Sequence, residues 1–208
     1  NQQAVFLDSQ GRTYSLPVHT LPSARGQGEP LTGRLTLPAD AEFKYLLLGD
    51  PDSLWLLASD HGYGFITRLS NLYSKNRVGK AVLSIGDEAQ VLKPARISEL
   101  SQDRLVAVTT AGRLLMFPLQ DLPQLGKGKG NRLIQVPKQR LRTREEVVAG
   151  VLAVPPERGV VLQAGRRTLT LRAIDLERYA GQRGRRGDCL PRGFQRVQQL
   201  WLEDSKDS

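Results

Sequence analysis

Residues 105–122 read LVAVTTAGRLLMFPLQDL, and the fold can be worked out from this stretch. An apolar run leads into a short turn that ends at Gly112, a second apolar run follows, and Leu122 stands ten residues beyond the glycine. Glycine suits such a turn because hairpins often require a positive φ, which costs glycine little. The stretch therefore predicts a β-hairpin followed by a short apolar hook, which we expect to form a single helical turn.

The same unit occurs four times along the chain. Its turn glycines are Gly11, Gly62, Gly112 and Gly165, with spacings of 51, 50 and 53 residues. Each hook leads into a loop rich in glycine and basic residues, and then into a further strand, predicted at 33–37, 81–85 and 131–136 in the first three repeats. A closing strand completes each unit, predicted at 45–48, 90–92 and 147–154. This gives about four strands per repeat.

Four-stranded units at a period of about 40–50 residues are typical of blades arranged radially. No stretch shows a convincing helical period; residues 138–146 are the best candidate and are interpreted as a loop or single turn. The prediction is an all-β, propeller-like disc of four blades, one repeat domain over 1–208 with repeats at roughly 1–50, 51–101, 102–154 and 155–208. The sequence leaves open a partial fifth blade and whether the disc closes.

The charge of the chain is strongly asymmetric. Residues 1–104 carry 11 Lys and Arg and 11 Asp and Glu, whereas residues 105–208 carry 19 and 10, which accounts for the whole net charge of +9. Such asymmetry indicates a polyanionic partner. No apolar run approaches the roughly 20 residues of a membrane span. Because the chain does not begin with methionine, we expect it to be a piece of a longer protein.

Enzymatic chemistry is not indicated. The single cysteine, Cys189, has no neighbouring histidine to activate it and is interpreted as a spectator. His19 and His61 lie in different repeats without the spacing of metal ligands. No acid–base pair or nucleophile recurs at a shared position of the repeat.

The basic loops are the candidate binding site. They span residues 23–28, 74–80, 126–132 and 181–187, which we number first to fourth, and each begins 12 to 16 residues after its turn glycine. Glycine lets a backbone approach closely, and Lys and Arg neutralise phosphates. Any one loop alone has the composition of an ordinary solvated loop, but four in register favour a polyanion surface. The predicted DNA-binding residues are Arg25, Lys75, Arg77, Lys80, Lys127, Lys129, Arg132, Arg166, Arg167, Arg183, Arg185 and Arg186.

The residue types missing from the basic loops indicate which kind of nucleic acid they would bind. They contain no aromatic residue, whereas proteins that bind single strands stack bases on aromatic side chains. No recognition helix is predicted either, so base-specific readout is not expected. The loops therefore favour duplex DNA, contacted mainly through its phosphates.

Several strings of the repeat are similar to a known family. The sequences LPSARGQGEPLTG at 21–33, LLMFP at 114–118, DLPQL at 121–125 and KGKGN at 127–131 resemble the C-terminal domains of bacterial type IIA topoisomerase A subunits, and the resemblance covers the whole chain. It implies a β-pinwheel whose blades exchange strands and whose basic rim bends DNA. The gyrase signature box is intact in no repeat, and its nearest match, 182–187, lacks the paired glycines. The resemblance therefore favours the decatenating branch, topoisomerase IV.

The resemblance also carries expectations about the parent protein. The domain would be non-catalytic, because the catalytic tyrosine belongs to an upstream domain, and would hold no cofactor, with ATP and Mg²⁺ bound elsewhere in the enzyme. Its partners would be duplex DNA, the catalytic core of the same polypeptide and the B subunit of topoisomerase IV, in the bacterial cytoplasm at the nucleoid. The alternative is a protein-interaction propeller, kelch-like or chromatin-docking, although kelch repeats usually show paired glycines and fixed aromatics that are missing here.

Overall fold

The structure, a computed structural model, describes residues 2–21 and 31–204, and its regular secondary structure is mainly β-strand. The strands are β1 (Gln3–Asp8), β2 (Arg12–Pro17), β3 (Phe43–Leu47), β4 (Leu54–Ala58), β5 (Tyr63–Arg68), β6 (Lys80–Ala81), β7 (Ala95–Arg96), β8 (Arg104–Thr109), β9 (Arg113–Pro118), β10 (Asn131–Arg132), β11 (Val148–Val154), β12 (Val160–Ala164), β13 (Arg167–Leu171), β14 (Asp188–Cys189) and β15 (Gln199–Leu202). The α-helices are α1 (Lys138–Thr143) and α2 (Ala173–Leu176). Short 3-10 turns occupy Val18–Thr20, Leu31–Gly33, Leu69–Leu72, Leu119–Asp121 and Glu177–Tyr179. No helix in the described part of the chain is long and apolar enough to cross a membrane.

The strands form four antiparallel sheets, one for each predicted blade. In order from inner to outer strand, blade 1 is β3-β1-β2-β6, blade 2 is β7-β4-β5-β10, blade 3 is β11-β8-β9-β14 and blade 4 is β15-β12-β13. The two middle strands are the hairpin of one repeat, and the inner strand comes from the same repeat. The outer strand of blades 1 to 3 is borrowed from the following repeat. The predicted all-β pinwheel with exchanged strands is confirmed.

Blade 4 differs because it has three strands. Among residues 2–21 and 31–204, no strand pairs with the outer side of β13. The outer edge of blade 4 is therefore unpaired within the described part of the chain.

The turn glycines have a second task besides the turn. Gly11, Gly62 and Gly112 have φ values of +88°, +91° and +85°, as a hairpin of this kind requires. Their carbonyls also accept the backbone N–H groups of the borrowed segments, from Leu83 to Gly11 at 2.9 Å and from Leu133 to Gly62 at 2.7 Å. A glycine is thus required both for the turn and for the close approach of the next repeat.

The hydrophobic core lies between neighbouring blades. One cluster joins Leu56 and Ile66 of blade 2 to Leu105 and Leu115 of blade 3, and equivalent clusters fill the other two gaps. The hooks contribute to these clusters: the 3-10 turn at Leu69–Leu72 buries both of its leucines. The predicted hooks are therefore confirmed as short helical turns. Each blade depends on its immediate neighbours, as in other repeat proteins.

The inner strands surround a central cavity of about 620 Å³. Its lining includes Tyr45, Trp55 and Trp201, together with the exposed cations Lys93 and Arg96. Since the inner edges face this cavity, the borrowed strands at the opposite edges of the sheets form the outer rim.

The strand predicted at 33–37 is wrong. Leu31–Gly33 forms a 3-10 turn, the following residues are irregular, and Leu35 packs in the same cluster as Phe6 and Tyr14 of its own blade. In the second and third repeats the equivalent segment pairs with the hairpin of the preceding repeat. The first repeat has no preceding hairpin within the described residues, so the segment folds back onto blade 1.

Three other predicted strands are shorter or displaced. The strands predicted at 81–85 and 131–136 consist of two residues each, because the apolar residues that follow leave the sheet edge and enter the gap between blades. The closing strand predicted at 90–92 makes only one isolated bridge, between Ser59 and Val91, and the inner strand of blade 2 is Ala95–Arg96. The candidate helix at 138–146 contains α1.

A matched pair of glycine variants tests the docking role of the turn. A Cβ atom on Gly112 would lie 2.2 Å from the carbonyl oxygen of Phe194, whereas one on Gly165 meets nothing within 4 Å; both have positive φ. Gly165→Ala should cost about 1–2 kcal/mol of unfolding free energy from its backbone conformation. Gly112→Ala should cost a further 1–3 kcal/mol or so from overpacking. Denaturant titrations of both variants measure the difference, and equal losses would refute the docking role.

Candidate nucleic-acid interface

Each described basic loop is fixed by two blades. The loop leaves its own blade after the hook, crosses the gap and ends as the borrowed strand of the preceding blade. In the second loop, the guanidinium of Arg12 on blade 1 donates to the carbonyl oxygen of Val78 at 2.7 Å and to that of Gly79 at 3.1 Å. The backbone N–H of Ser74 donates to the Ser15 hydroxyl at 2.8 Å. The loop backbone is therefore held although its cations point outward.

Hydrogen bonds also join successive repeats along the rim. Backbone N–H groups of one repeat donate to carbonyls of the next basic loop, from Thr36 to Arg77, from Ser84 to Gly128 and from Gln135 to Arg185, at 2.8 to 2.9 Å. The three described loops, 74–80, 126–132 and 181–187, thus occupy equivalent places on successive blades. We call this continuous surface the basic ridge.

The third loop holds the middle of the basic ridge. Lys127 and Lys129 are exposed on either side of Gly128, whose N–H donates to the Val82 carbonyl at 2.8 Å. The ammonium of Lys129 lies 3.9 Å from the centre of the Tyr63 ring. Arg132 is exposed on β10, directly opposite Tyr63 on β5, and its guanidinium donates to the Tyr63 hydroxyl at 3.3 Å.

Tyr63 is a residue that sequence reasoning missed. The basic loops contain no aromatic residue of their own, but the hairpin of blade 2 places this one beneath the third loop. The hydrogen bond from Arg132 lowers the pKa of the Tyr63 hydroxyl, and burial opposes this shift. Its position directly after the turn glycine Gly62 was the available signal, because that position faces the incoming loop.

The fourth loop continues the ridge. Arg183 donates to the carbonyl oxygen of Arg132 at 2.8 Å, so the third and fourth loops touch. Arg185 is exposed, and its guanidinium donates to the Gln182 side chain of the same loop at 3.2 Å. Arg186 is different: it is half-buried, and its guanidinium lies 2.6 Å from a carboxylate oxygen of Glu146.

Glu146 anchors the fourth loop from below. Its carboxylate is fully buried and also pairs with Arg140 of α1 at 3.1 Å. Burial by itself raises the pKa of the Glu146 carboxyl, but the hydrogen bonds of Arg186 and Thr109 and the charges of Arg186 and Arg140 together outweigh it, so the pKa lies below its ordinary value. The carboxylate is therefore charged at neutral pH, and Arg186 stabilises the fold through it.

The remaining predicted residues have distinct environments. Arg25 lies outside the described residues. Lys75 and Arg77 are exposed on the second loop, whereas Lys80 is half-buried in β6, where burial lowers its pKa. Arg166 and Arg167 are exposed at the turn between β12 and β13, beside the open edge of blade 4 rather than on the basic ridge.

The basic ridge carries little compensating negative charge. In the part of the chain that the structure describes, no Asp or Glu lies within 4.0 Å of the charged groups of Lys127, Lys129, Arg132, Arg183 or Arg185. Some arginines elsewhere are paired, as Arg104 is with Glu177 at 2.5 Å. Lys75, Arg77 and Lys80 of the second loop also have no carboxylate partner among the described residues, so the charge of the ridge is largely uncompensated.

A row of strand-exchanging blades with a basic outer ridge defines a β-pinwheel of the kind found in topoisomerase A subunits. The family model described as DNA gyrase C-terminal domain, beta-propeller, matches residues 54–98 and 103–155. The solved structure of the E. coli ParC C-terminal domain is 44% identical with a TM-score of 0.89, over 99% of this chain and 82% of that one. The chain belongs to the family of C-terminal domains of topoisomerase IV A subunits.

Longer relatives agree with this assignment. The A subunit of DNA topoisomerase 4 from Pseudomonas aeruginosa is 55% identical over 203 residues, which are 98% of this chain. Its counterpart from E. coli strain K12 is 45% identical over 206 residues, or 99% of this chain. The chain spans 27% of the length of either relative.

The Glu146 cluster predicts how stability depends on pH. Because the pKa of Glu146 is lower in the folded state than in the unfolded chain, its contribution is present above the unfolded value of about 4.3 and is lost as the pH falls through the folded value. Glu146→Gln should cost about 1–3 kcal/mol at pH 7, since both partner arginines keep some solvent contact. Denaturant titrations at pH 7 and at about pH 3, well below the unfolded value of about 4.3, should show this cost shrinking on acidification. A cost that is the same at both pH values would contradict the role of the charge.

Proposed function

We propose that this chain is the non-catalytic DNA-binding and DNA-bending domain of a topoisomerase IV A subunit, which presents duplex DNA to the enzyme core for decatenation and relaxation of supercoils. The observation that carries the proposal is the basic ridge: three loops joined by hydrogen bonds, with eight cations that have no carboxylate partner among the described residues. A pocket for a small substrate would require convergent polar groups, whereas this surface is extended and convex.

The ridge would act by neutralising phosphates. Each Lys or Arg that meets a phosphate releases counterions, so the logarithm of affinity falls with the logarithm of salt concentration by about 0.9 per contact. Lysines at 127 and 129 supply mobile point charges, and Arg132 and Arg185 supply planar forks that suit phosphate oxygens. None of these contacts reads the base sequence.

The arrangement of the blades supports bending. The inner strands converge on one cavity, so the outer loops follow a curved path. A duplex that touches all three described loops must curve with them. Bending a segment of 20–30 bp costs on the order of 1–6 kcal/mol, which several phosphate contacts can offset.

The roles of the whole enzyme extend this proposal. The parent protein would be an ATP-dependent type II topoisomerase whose catalytic tyrosine, ATP and Mg²⁺ belong to other domains or to the B subunit. The catalytic core of the same polypeptide would receive the DNA from this domain, at the bacterial nucleoid in the cytoplasm. This part of the proposal rests on the relatives, of which the chain spans only 27%.

Neutralising the ridge tests DNA binding. The triple variant Lys127→Gln, Lys129→Gln, Arg185→Gln should lower affinity for random duplex DNA by a factor on the order of ten to a hundred at low salt. Because three phosphate contacts are lost, the slope of log affinity against log salt concentration should also become shallower by about 2.7. Fluorescence anisotropy across a salt series measures both quantities. The matched control, Lys93→Gln with Arg96→Gln, removes exposed cations at the central cavity and should change the affinity much less.

Two outcomes would overturn the proposal. If the control variant lost as much affinity as the ridge variant, binding would not follow the ridge. If the unaltered domain bound random duplex weakly with a shallow salt slope, the protein-interaction propeller would be the better interpretation.

Bending is measured separately. Donor and acceptor dyes at the ends of a duplex of about 30 bp, a length over which smooth bending costs only a few kcal/mol, should approach each other when the domain binds. The ridge variant at a concentration that saturates the DNA should bend it less. If the domain bound the duplex without changing the distance between its ends, the DNA would remain straight in the complex and the bending role would be refuted.

A further inference from the structure

In blades 1 to 3, the residue directly after the turn glycine faces the basic loop that arrives from the next repeat. In blade 1 this residue is Arg12, which donates to the carbonyls of Val78 and Gly79. In blade 3 it is Arg113, whose guanidinium donates to the Gly187 carbonyl at 3.1 Å. Both arginines hold the loop through its backbone.

Blade 2 has a tyrosine at this position and holds the loop differently. Tyr63 contacts the charged side chains of the third loop, with the Lys129 ammonium 3.9 Å from the ring centre and the Arg132 guanidinium carbon 5.8 Å from it. The hydroxyl of Tyr63 accepts a hydrogen bond from Arg132 at 3.3 Å. One side chain therefore orients two cations.

We propose that Tyr63 is the positioning residue that gathers Lys129 and Arg132 into a single phosphate clamp at the middle of the basic ridge. The inference rests on the proposed DNA-binding function and adds a specific residue to it. The group bound between the two cations would be one backbone phosphodiester of duplex DNA.

An aromatic ring suits this task better than a carboxylate would. Two neighbouring cations repel each other, and the negative face of an aromatic ring offsets part of that repulsion. A carboxylate would neutralise one cation and compete with the phosphate for it. The ring orders the side chains and leaves their full positive charge available. An ordered lysine also loses less rotamer freedom when the phosphate arrives.

The backbone around the clamp is fixed on both sides. A Cβ atom on Gly130 would lie 2.1 Å from the carbonyl oxygen of Gly64, so the loop rests directly on the hairpin of blade 2. Gly128 bonds to Val82 on the other side, and Arg183 donates to the carbonyl of Arg132. Only the side chains of Lys129 and Arg132 remain to be positioned, and Tyr63 contacts both.

Two substitutions separate the ring from the rest of the residue. Y63L removes the ring and the hydroxyl, and should weaken binding to random duplex DNA about threefold to tenfold. It should also lower the slope of log affinity against log salt concentration by about 0.9, because one phosphate contact is lost. Y63F keeps the ring beneath Lys129 and should stay within about twofold of the unaltered domain, since only the bond to Arg132 is lost. The matched control is Y45L, which removes a half-buried tyrosine at the central cavity and should leave affinity and slope unchanged.

A spectroscopic measurement distinguishes positioning from a merely structural role. In the free domain, the ring current of Tyr63 should shift the Lys129 side-chain methylene resonances upfield, and a short duplex should perturb them early in a titration. This first measurement uses the unaltered domain and needs no variant to fold. The upfield shift should persist in Y63F and vanish in Y63L.

The outcomes separate this inference from the function on which it rests. If the unaltered domain fails to bind duplex DNA, the proposed function fails. If it binds, and Y63L matches it in affinity and salt slope, or Lys129 shows no ring-current shift, the clamp is refuted while DNA binding stands. Equal losses in Y63L and Y45L would also refute it, because the effect would then reflect general destabilisation.

Discussion

The architecture depends on one recurrent contact, the docking of a borrowed segment onto the turn glycine of the preceding hairpin. The backbone N–H groups of Leu83, Leu133 and Leu190 donate to the carbonyls of Gly11, Gly62 and Gly112 at 2.7 to 2.9 Å. The apolar residues of each segment then fill the gap between two blades, which is where the core lies. The same contact fixes the end of each described basic loop, so the stability of the fold and the position of the basic ridge have a common origin.

This dependence explains which parts of the fold the sequence could predict. The hairpins and hooks are local, since their partners lie within about ten residues, and the regular spacing of the glycines and apolar runs is enough to identify them. A borrowed strand pairs with a residue far away in sequence, as Lys80 does with Thr13, and its length is set by where it must leave the sheet edge. The segment at 33–37 shows the consequence, because its sequence suits a strand but no hairpin among the described residues receives it.

The sequence was enough to predict which loops form the basic ridge. It was not enough to predict the environment of each cation. Arg185 and Arg186 are adjacent, yet one is exposed and the other is held by the buried Glu146. Glu146 follows the short helix α1 in a charged stretch that gave no sign of burial. Tyr63 was not predicted for a related reason. It belongs to the hairpin of the second repeat, and it meets the third loop because β10 of the third repeat pairs with β5 of the second.

Because each core cluster between blades joins immediate neighbours, a change at one junction should stay local. Glu146 connects α1 of the third repeat to the fourth loop, and Tyr63 connects the second hairpin to the third loop. Loss of either contact would disturb one or two adjacent loops while the rest of the ridge kept its place. A polyanion that spans several loops would therefore make a separate contact with each loop, and the blades would keep the spacing between these contacts constant. Each loop would then contribute its own share to the free energy of binding, much as each repeat contributes its own share to the stability of a repeat protein. The curvature of the ridge, by contrast, depends on how all the blades are arranged.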